Sequence, residues 1–192
     1  MKIILGSQSP RRLEICSYFS LPFQQASPPF DESCIAFQGD PEEYVCQLSR
    51  GKAESLRPCF PHDVILTADT IVYREGKIYG KPLDLEGAFN ALSELVGRWH
   101  TVYTGVTISR GQEVYDQAEA TQVLFNDLTP EQIRHYHSKL EWADKAGGYA
   151  IQMAGSLIVK RIEGCYYNVM GLPINTVEAL LKRVGIELWN YL

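Results

Sequence analysis

Ser7-Gln8-Ser9-Pro10-Arg11-Arg12 places two hydroxyls and two guanidinium groups directly after the apolar stretch Ile3-Ile4-Leu5-Gly6. That order reads as a strand, a tight polar turn and a helix N-terminus. Ser9 suits the N-cap and Pro10 the first helical position, where a missing N–H costs nothing. A helix N-terminus carries partial positive charge, and arginine pairs with phosphate oxygens through two parallel bonds. Ser7, Ser9 and Arg12 therefore predict a phosphate site. The same residues would also make a plain capped surface helix with solvated arginines. Their place at a strand end, and the chemistry further along the chain, favour the phosphate.

Asp69 interrupts Val64-Ile65-Leu66-Thr67-Ala68-Asp69-Thr70-Ile71-Val72, the strongest strand pattern in the chain. A carboxylate inside such a run costs several kcal/mol of desolvation unless it is paired or binds a cation. Lys52 falls on the same helical stripe as Val45 and Leu48. Two readings of it stand: a stem that packs while the ammonium reaches water, or a face bordering a pocket for an anion. Glu32 follows the proline-rich Ser27-Pro28-Pro29, Lys81 lies in Gly80-Lys81-Pro82, and Lys145 and Gln152 flank Gly147-Gly148. The cations and hydroxyls suit a polyphosphate. Glu32 and Asp69 suit Mg²⁺ or Mn²⁺, which take oxygen ligands and bridge to substrate phosphate. Gln152 both donates and accepts, as the edge of a base requires. Together these residues outline a hydrolase for a nucleotide anhydride, without a Walker loop or a Rossmann fingerprint.

The elements that must position them alternate between strand and helix, which predicts an α/β protein. A helix from Pro10 to about Tyr18 should bury Leu13 and Ile15, and residues 27–40 should form an irregular loop. Asp40 and Pro41 open a second helix. Glu75-Gly76-Lys77 predicts a hairpin turn. A helix over Asp84–Val96 should use Leu85, Ala88, Phe89, Leu92, Leu95 and Val96 as its core face. Strands over Trp99–Ser109 and Glu113–Phe125 follow, with His100 as a strand-start histidine rather than a ligand. Thr129-Pro130-Glu131-Gln132 is a capping box. The last helix should bury Val177, Leu180, Leu181 and Val184 and end at Gly185.

A chain of 192 residues can bury a sizeable core as one domain or two joined lobes. The formal charge of -5 offers no basic field for long nucleic acid. Five cysteines without a C-x-x-C argue against a disulfide framework or a structural zinc site. The N-terminal apolar run is too short for a signal sequence or a membrane span. The expectation is a reducing, cytoplasmic compartment.

The chain resembles the Maf family of nucleoside triphosphate pyrophosphatases, the septum-formation inhibitor proteins, over nearly its whole length. The resemblance rests on Ser7 to Arg12, Asp31-Glu32, Tyr44-Val45 with Lys52-Ala53, Ala68-Asp69-Thr70, Gly80-Lys81-Pro82, Asp144 to Gln152 and Asn168-Val169-Met170-Gly171-Leu172-Pro173. It implies hydrolysis of a nucleoside triphosphate to the monophosphate and pyrophosphate, with Asp69 as proton acceptor. Glu32, Lys52 and Lys81 complete the catalytic set, and Lys145 joins the phosphate-binding residues. It also implies one domain over residues 1–192. The fold would be two-lobed, built around a long mixed twisted sheet flanked by helices, similar to inosine triphosphatases. The active cleft would lie between the lobes, and many members are homodimers. Arg11, Thr70 and Gln152 stand at the positions that separate subfamilies and resemble the dTTP and UTP branch. Arg12 is then expected on the phosphates and Arg11 nearer the base. Gly6 departs from the usual alanine, and Gly148 extends the glycine pair. Two further readings belong beside this one: a house-cleaning enzyme for modified pyrimidine nucleotides, and a nucleotide-binding regulator of cell division with incidental turnover.

Overall fold

The computed structural model describes residues 2–139 and 141–192. Seven strands form one mixed sheet in the order β2-β1-β3-β5-β6-β7, with β4 paired to β3. These are β1 (Ile3–Gly6), β2 (Phe23–Ala26), β3 (Val64–Arg74), β4 (Lys77–Tyr79), β5 (Trp99–Arg110), β6 (Glu113–Phe125) and β7 (Val159–Glu163). The chain divides into two compact units, and β3, β5 and β6 contribute residues to each.

Unit 1 comprises Met1–Asp69, Thr104–Glu119 and Gly171–Leu192. Here β1 runs parallel to both β2 and β3, with Gly6 opposite Ala26 and Thr67. Helix α1 (Pro10–Cys16) connects β1 to β2, and α2 (Pro41–Leu56) precedes β3. Ile4, Ala53, Leu56 and Ile65 form the core between α2 and the strands. Asp40 caps α2, its carboxylate accepting from the Glu42 and Glu43 N–H groups. The last long helix, which buries Val177, Leu180 and Leu181, closes at Gly185 as expected.

Unit 2 comprises Thr70–Tyr103 and Ala120–Met170. Glu75 and Gly76 both take positive φ between Arg74 and Lys77, which pair across β3 and β4. That is the backbone a tight hairpin needs. Helix α3 (Leu85–Leu95) is capped by Asp84, and α4 (Pro130–His137) opens with the full capping box at Thr129 and Gln132. His100 is buried with its Nε2 2.9 Å from the Tyr149 hydroxyl, and burial pulls its pKa down to about 4. It stands at the start of β5, as expected, and is buried in the core.

Three expectations need correction, and one strand was not anticipated. Helix α1 stops at Cys16, so Leu13 is exposed and Ile15 with Cys16 face inward. Leu85 is exposed as well, because the first residue of α3 precedes the turn that meets the core. Ser9 occupies the N-cap position with extended backbone, yet its side chain makes no capping bond. The edge strand β2 (Phe-Gln-Gln-Ala) carries no sequence alternation that would reveal it.

Candidate active site

In unit 1 the carboxyl ends of β1 and β2 lie beside Thr67 of β3, and open α/β folds place ligands outside the carboxyl ends of their strands. Ser7 follows β1 directly and is buried. Its hydroxyl accepts from the Ser9 N–H at 3.1 Å and from Arg12 Nη1 at 3.3 Å. Ser7 thus supplies the side-chain bond at the start of α1 that Ser9 does not. Gln25, from β2, donates to the Ser7 carbonyl at 2.7 Å and pins the turn from outside.

Arg12 is partly buried, and its Nε donates to the Gly171 carbonyl at 2.6 Å. Burial lowers the pKa of its guanidinium, and the neighbouring Arg11 charge lowers it further; Asp69 and Glu32 oppose both. A desolvated cation in this position gains from a counter-anion, and a phosphate supplies one.

Asp69 lies toward the end of the β3 segment in unit 1 and is 8% exposed. Its carboxylate pairs with Lys52, whose ammonium also meets Glu32 at 2.7 Å. Both readings of Lys52 meet here. Its stripe packs through the buried Val45 and Leu48, while the ammonium ends between two carboxylates rather than in water. Glu32 reaches Lys52 because the loop of residues 27–40 is held against α2. Phe30 packs directly over Gly51, where a Cβ would stand 2.4 Å from the ring carbon Cζ. A glycine inside a helix costs roughly 1 kcal/mol, and this one leaves room for that ring.

Burial raises the pKa of Asp69 above the usual carboxylate range; Lys52 offsets this in part, and the Glu32 charge adds to it. Burial, then Asp69 and Glu32, also raise the phenol of Tyr44. Burial pushes the Cys16 thiol up to about 12, so it is no nucleophile at neutral pH.

Among the described residues no group of three or more His, Cys, Asp or Glu side chains is placed to hold a metal ion. Glu32 and Asp69 nevertheless bring two hard oxygen donors to one point. That donor set fits Mg²⁺ or Mn²⁺ when water and phosphate supply the other ligands.

Thr70, Lys81, Lys145 and Gln152 belong to unit 2. Thr70 follows Asp69 in β3 and is partly buried. The Gly147 N–H donates to the Gly80 carbonyl at 3.0 Å, which ties the segment of Lys81 to that of Lys145. Lys81 is exposed. The Lys145 ammonium is engaged within its own loop, by the Asp144 carboxylate and the Glu141 carbonyl. Gly147 and Gly148 take left-handed φ, as the sharp turn requires. Two residues of α4 hold the strand of chain beyond it. Tyr136 bonds the Ala150 backbone on both sides, and His137 Nε2 lies 3.0 Å from the Gly148 carbonyl. Gln152, two residues on, is partly buried.

Sequence reasoning gave no role to Gln25, Tyr44 or Gly171. Tyr44 and Gly171 lie within the stretches that carry the family resemblance; Gln25 has no signal, being a glutamine on an edge strand.

The chain matches the Maf-like protein family over residues 2–184. It is 43% identical over 192 residues to a dTTP/UTP pyrophosphatase of Chlamydia caviae, spanning 100% of this chain and 98% of that protein. It is 44% identical over 191 residues to a dTTP/UTP pyrophosphatase of Clostridium perfringens, spanning 98% of this chain and 100% of the relative. Among solved structures it is similar to the Ham1 protein of Staphylococcus aureus, with a TM-score of 0.54 at 14% identity. That match covers 96% of this chain and 100% of the other. At such identity the likeness speaks for the fold alone, and it agrees with the expected mixed α/β architecture.

Proposed function

The chain is a member of the Maf-like protein family, and on that premise we propose that it hydrolyses dTTP and UTP to the monophosphate and pyrophosphate. One domain over residues 1–192 carries the activity, in the cytoplasm. The observation that supports this most is the meeting of Glu32 and Asp69 on Lys52, all in the unit that holds Ser7 and Arg12. A protein that only bound nucleotide would gain little from two carboxylates beside the phosphates. The relatives from Chlamydia caviae and Clostridium perfringens are named for the same activity.

Asp69 is the proton acceptor. Its buried carboxylate is more basic than a solvated one, so it takes a proton from the attacking water more readily. The water oxygen bonds to the α-phosphorus, the bond from that phosphorus to the bridging oxygen breaks, and pyrophosphate leaves. Arg12 and Lys52 neutralise the charge that develops on the phosphate oxygens, the role that the family resemblance also gives Lys81. Ser7 and the Ser9 segment at the start of α1 orient the phosphate chain. Lys145 shapes the glycine turn, its ammonium paired with Asp144. Glu32 and Asp69 are the residues that would hold Mg²⁺ or Mn²⁺, and an ion held there would lower the basicity of Asp69, so that it would orient the attacking water more than deprotonate it. Such an ion, when bound, supplies further charge neutralisation at the phosphates. Arg11, Thr70 and Gln152 select the pyrimidine base.

Product analysis with purified protein, Mg²⁺ or Mn²⁺ and a panel of nucleoside triphosphates tests the reading. Pyrophosphate and monophosphate should form, fastest from dTTP and UTP. Orthophosphate with diphosphate, or no turnover, would overturn it.

A further inference from the structure

Arg12 and Gly171 lie 159 residues apart in sequence, yet the guanidinium Nε donates to the Gly171 carbonyl at 2.6 Å. This is the shorter of the two Arg12 bonds described above, the other running from Nη1 to Ser7 Oγ at 3.3 Å. We propose that Gly171 is a positioning residue for the reaction: its carbonyl orients the Arg12 guanidinium toward the phosphate chain of the substrate. The substrate part of this rests on the pyrophosphatase reading; the orientation part does not.

A free arginine side chain loses rotamer entropy when it grips an anion. Bonds at two different nitrogens set the plane of the group before any substrate arrives, so less is lost on binding. The acceptor matters as much as the bond. A carboxylate at Gly171 would orient Arg12 and also cancel its charge. A backbone carbonyl orients it and leaves the net positive charge for phosphate. Asp69 and Glu32 both meet Lys52, and their charges also act on Arg12.

The Gly171 carbonyl is itself held by rigid backbone. Leu172 is fully buried and lines a small apolar cavity with Ile3, Leu5 and Leu66. Pro173 is buried too, and its carbonyl accepts from the Val177 N–H at 2.9 Å in the first turn of the last long helix. Gly171 has a φ of +102, a region that side chains with a Cβ rarely enter. The stretch Gly171-Leu172-Pro173 is thereby explained as three parts of one device. Glycine supplies the backbone angle, leucine the anchor, and proline the rigid start of the helix.

The direct test needs no mutant of Gly171. In the ¹⁵N–¹H spectrum of the nucleotide-free wild-type protein, the Arg12 Nε–H is assigned by its loss in Arg12→Lys. It should exchange with water far more slowly than the Nε–H groups of solvated arginines. Exchange as fast as theirs overturns the orientation, whatever the activity. The second arm is a double-mutant cycle with dTTP and with UTP. Gly171→Ala should lower kcat/KM about 10- to 100-fold, the scale of misplacing a group by about 1 Å. The loss should be equal for the two bases, because the phosphates are shared. In an Arg12→Ala background the same change should cost nothing further. Additive losses would show that Gly171 acts elsewhere. If the wild-type protein turned over neither nucleotide, the pyrophosphatase reading would fall, and the exchange measurement would still decide the orientation.

Discussion

Lys52 and Lys77 each meet a glutamate, and the two sites run in opposite directions. Lys77 lies on the surface of unit 2, with Nζ 2.8 and 2.6 Å from the two Glu94 oxygens and the Tyr79 hydroxyl on the same carboxylate. Both partners there shift toward their charged forms: the Lys77 pKa is raised and the Glu94 pKa lowered, each chiefly by the hydrogen bond between them. At the Lys52 site the carboxylate of Asp69 shifts the other way, because burial outweighs what one ammonium returns and Glu32 adds a like charge. The surface pair is electrostatically content. At the buried group, desolvation outweighs what Lys52 and the Arg12 charge together return. Structural ion pairs resemble the first case; a site awaiting further cationic partners resembles the second.

Removing the ammonium should therefore expose the imbalance. Lys52→Met leaves the buried Asp69 carboxylate without its ammonium and beside the half-exposed Glu32, and breaking a buried pair costs about 3 kcal/mol or more. The loss should depend on pH in a defined sense. A carboxyl whose folded pKa is raised above its unfolded value contributes stability below the unfolded value, and this is lost as pH rises through the folded one. Without Lys52 the folded pKa of Asp69 climbs further. The variant should be most destabilised, by thermal unfolding, at pH 8 and should approach the wild type in mild acid. A deficit that grew as pH fell would mean that Lys52 does not serve these carboxylates.

Much of this contrast can be read from residue types. A carboxylate inside an apolar strand, a lysine on an apolar helical stripe and a serine at a strand end are each anomalies against their local pattern. The structure brings Ser7, Arg12, Glu32, Lys52 and Asp69 into one unit. The caps at Asp40 and Thr129 were legible for a different reason: capping is a local code, written within four residues. The Gly171 bond to Arg12 was not legible, since a backbone carbonyl has no residue type and its partner lies far away in sequence. Helix ends misled as well. Periodicity assigned Leu13 and Leu85 to core faces without showing where the neighbouring layer stops.

Asp69→Asn should separate function from stability at the same site. It keeps the shape and removes the buried charge. Turnover of dTTP should fall by at least ~10², the low end of what a general base contributes. The sign of the stability change follows from the raised pKa. Ionised Asp69 costs the folded state stability at neutral pH, and the asparagine does not. The variant should melt at or above the wild-type temperature at pH 7.5, with the difference closing as pH falls through the Asp69 pKa. Near-normal turnover would remove Asp69 from the mechanism. A clear drop in melting temperature would mean that the Lys52 bond outweighs burial after all.

The smallest effect belongs to the surface pair, and it is what makes the other two interpretable. Glu94→Gln removes one charge from a lysine–glutamate contact whose geometry is as short as that at Lys52. Its side chains stand 56% and 44% exposed, so water replaces most of what the mutation takes away. Melting temperature should move little beside the Lys52→Met change, with no rise in the deficit toward pH 8, and dTTP turnover should match the wild type. High salt should erase even the small shift, since exposed charges are screened within a Debye length. If Glu94→Gln proved as damaging as Lys52→Met, distance alone would set the worth of these contacts. Burial would then have to be dropped as the reason that the Asp69 pKa is raised while that of Glu94 is lowered.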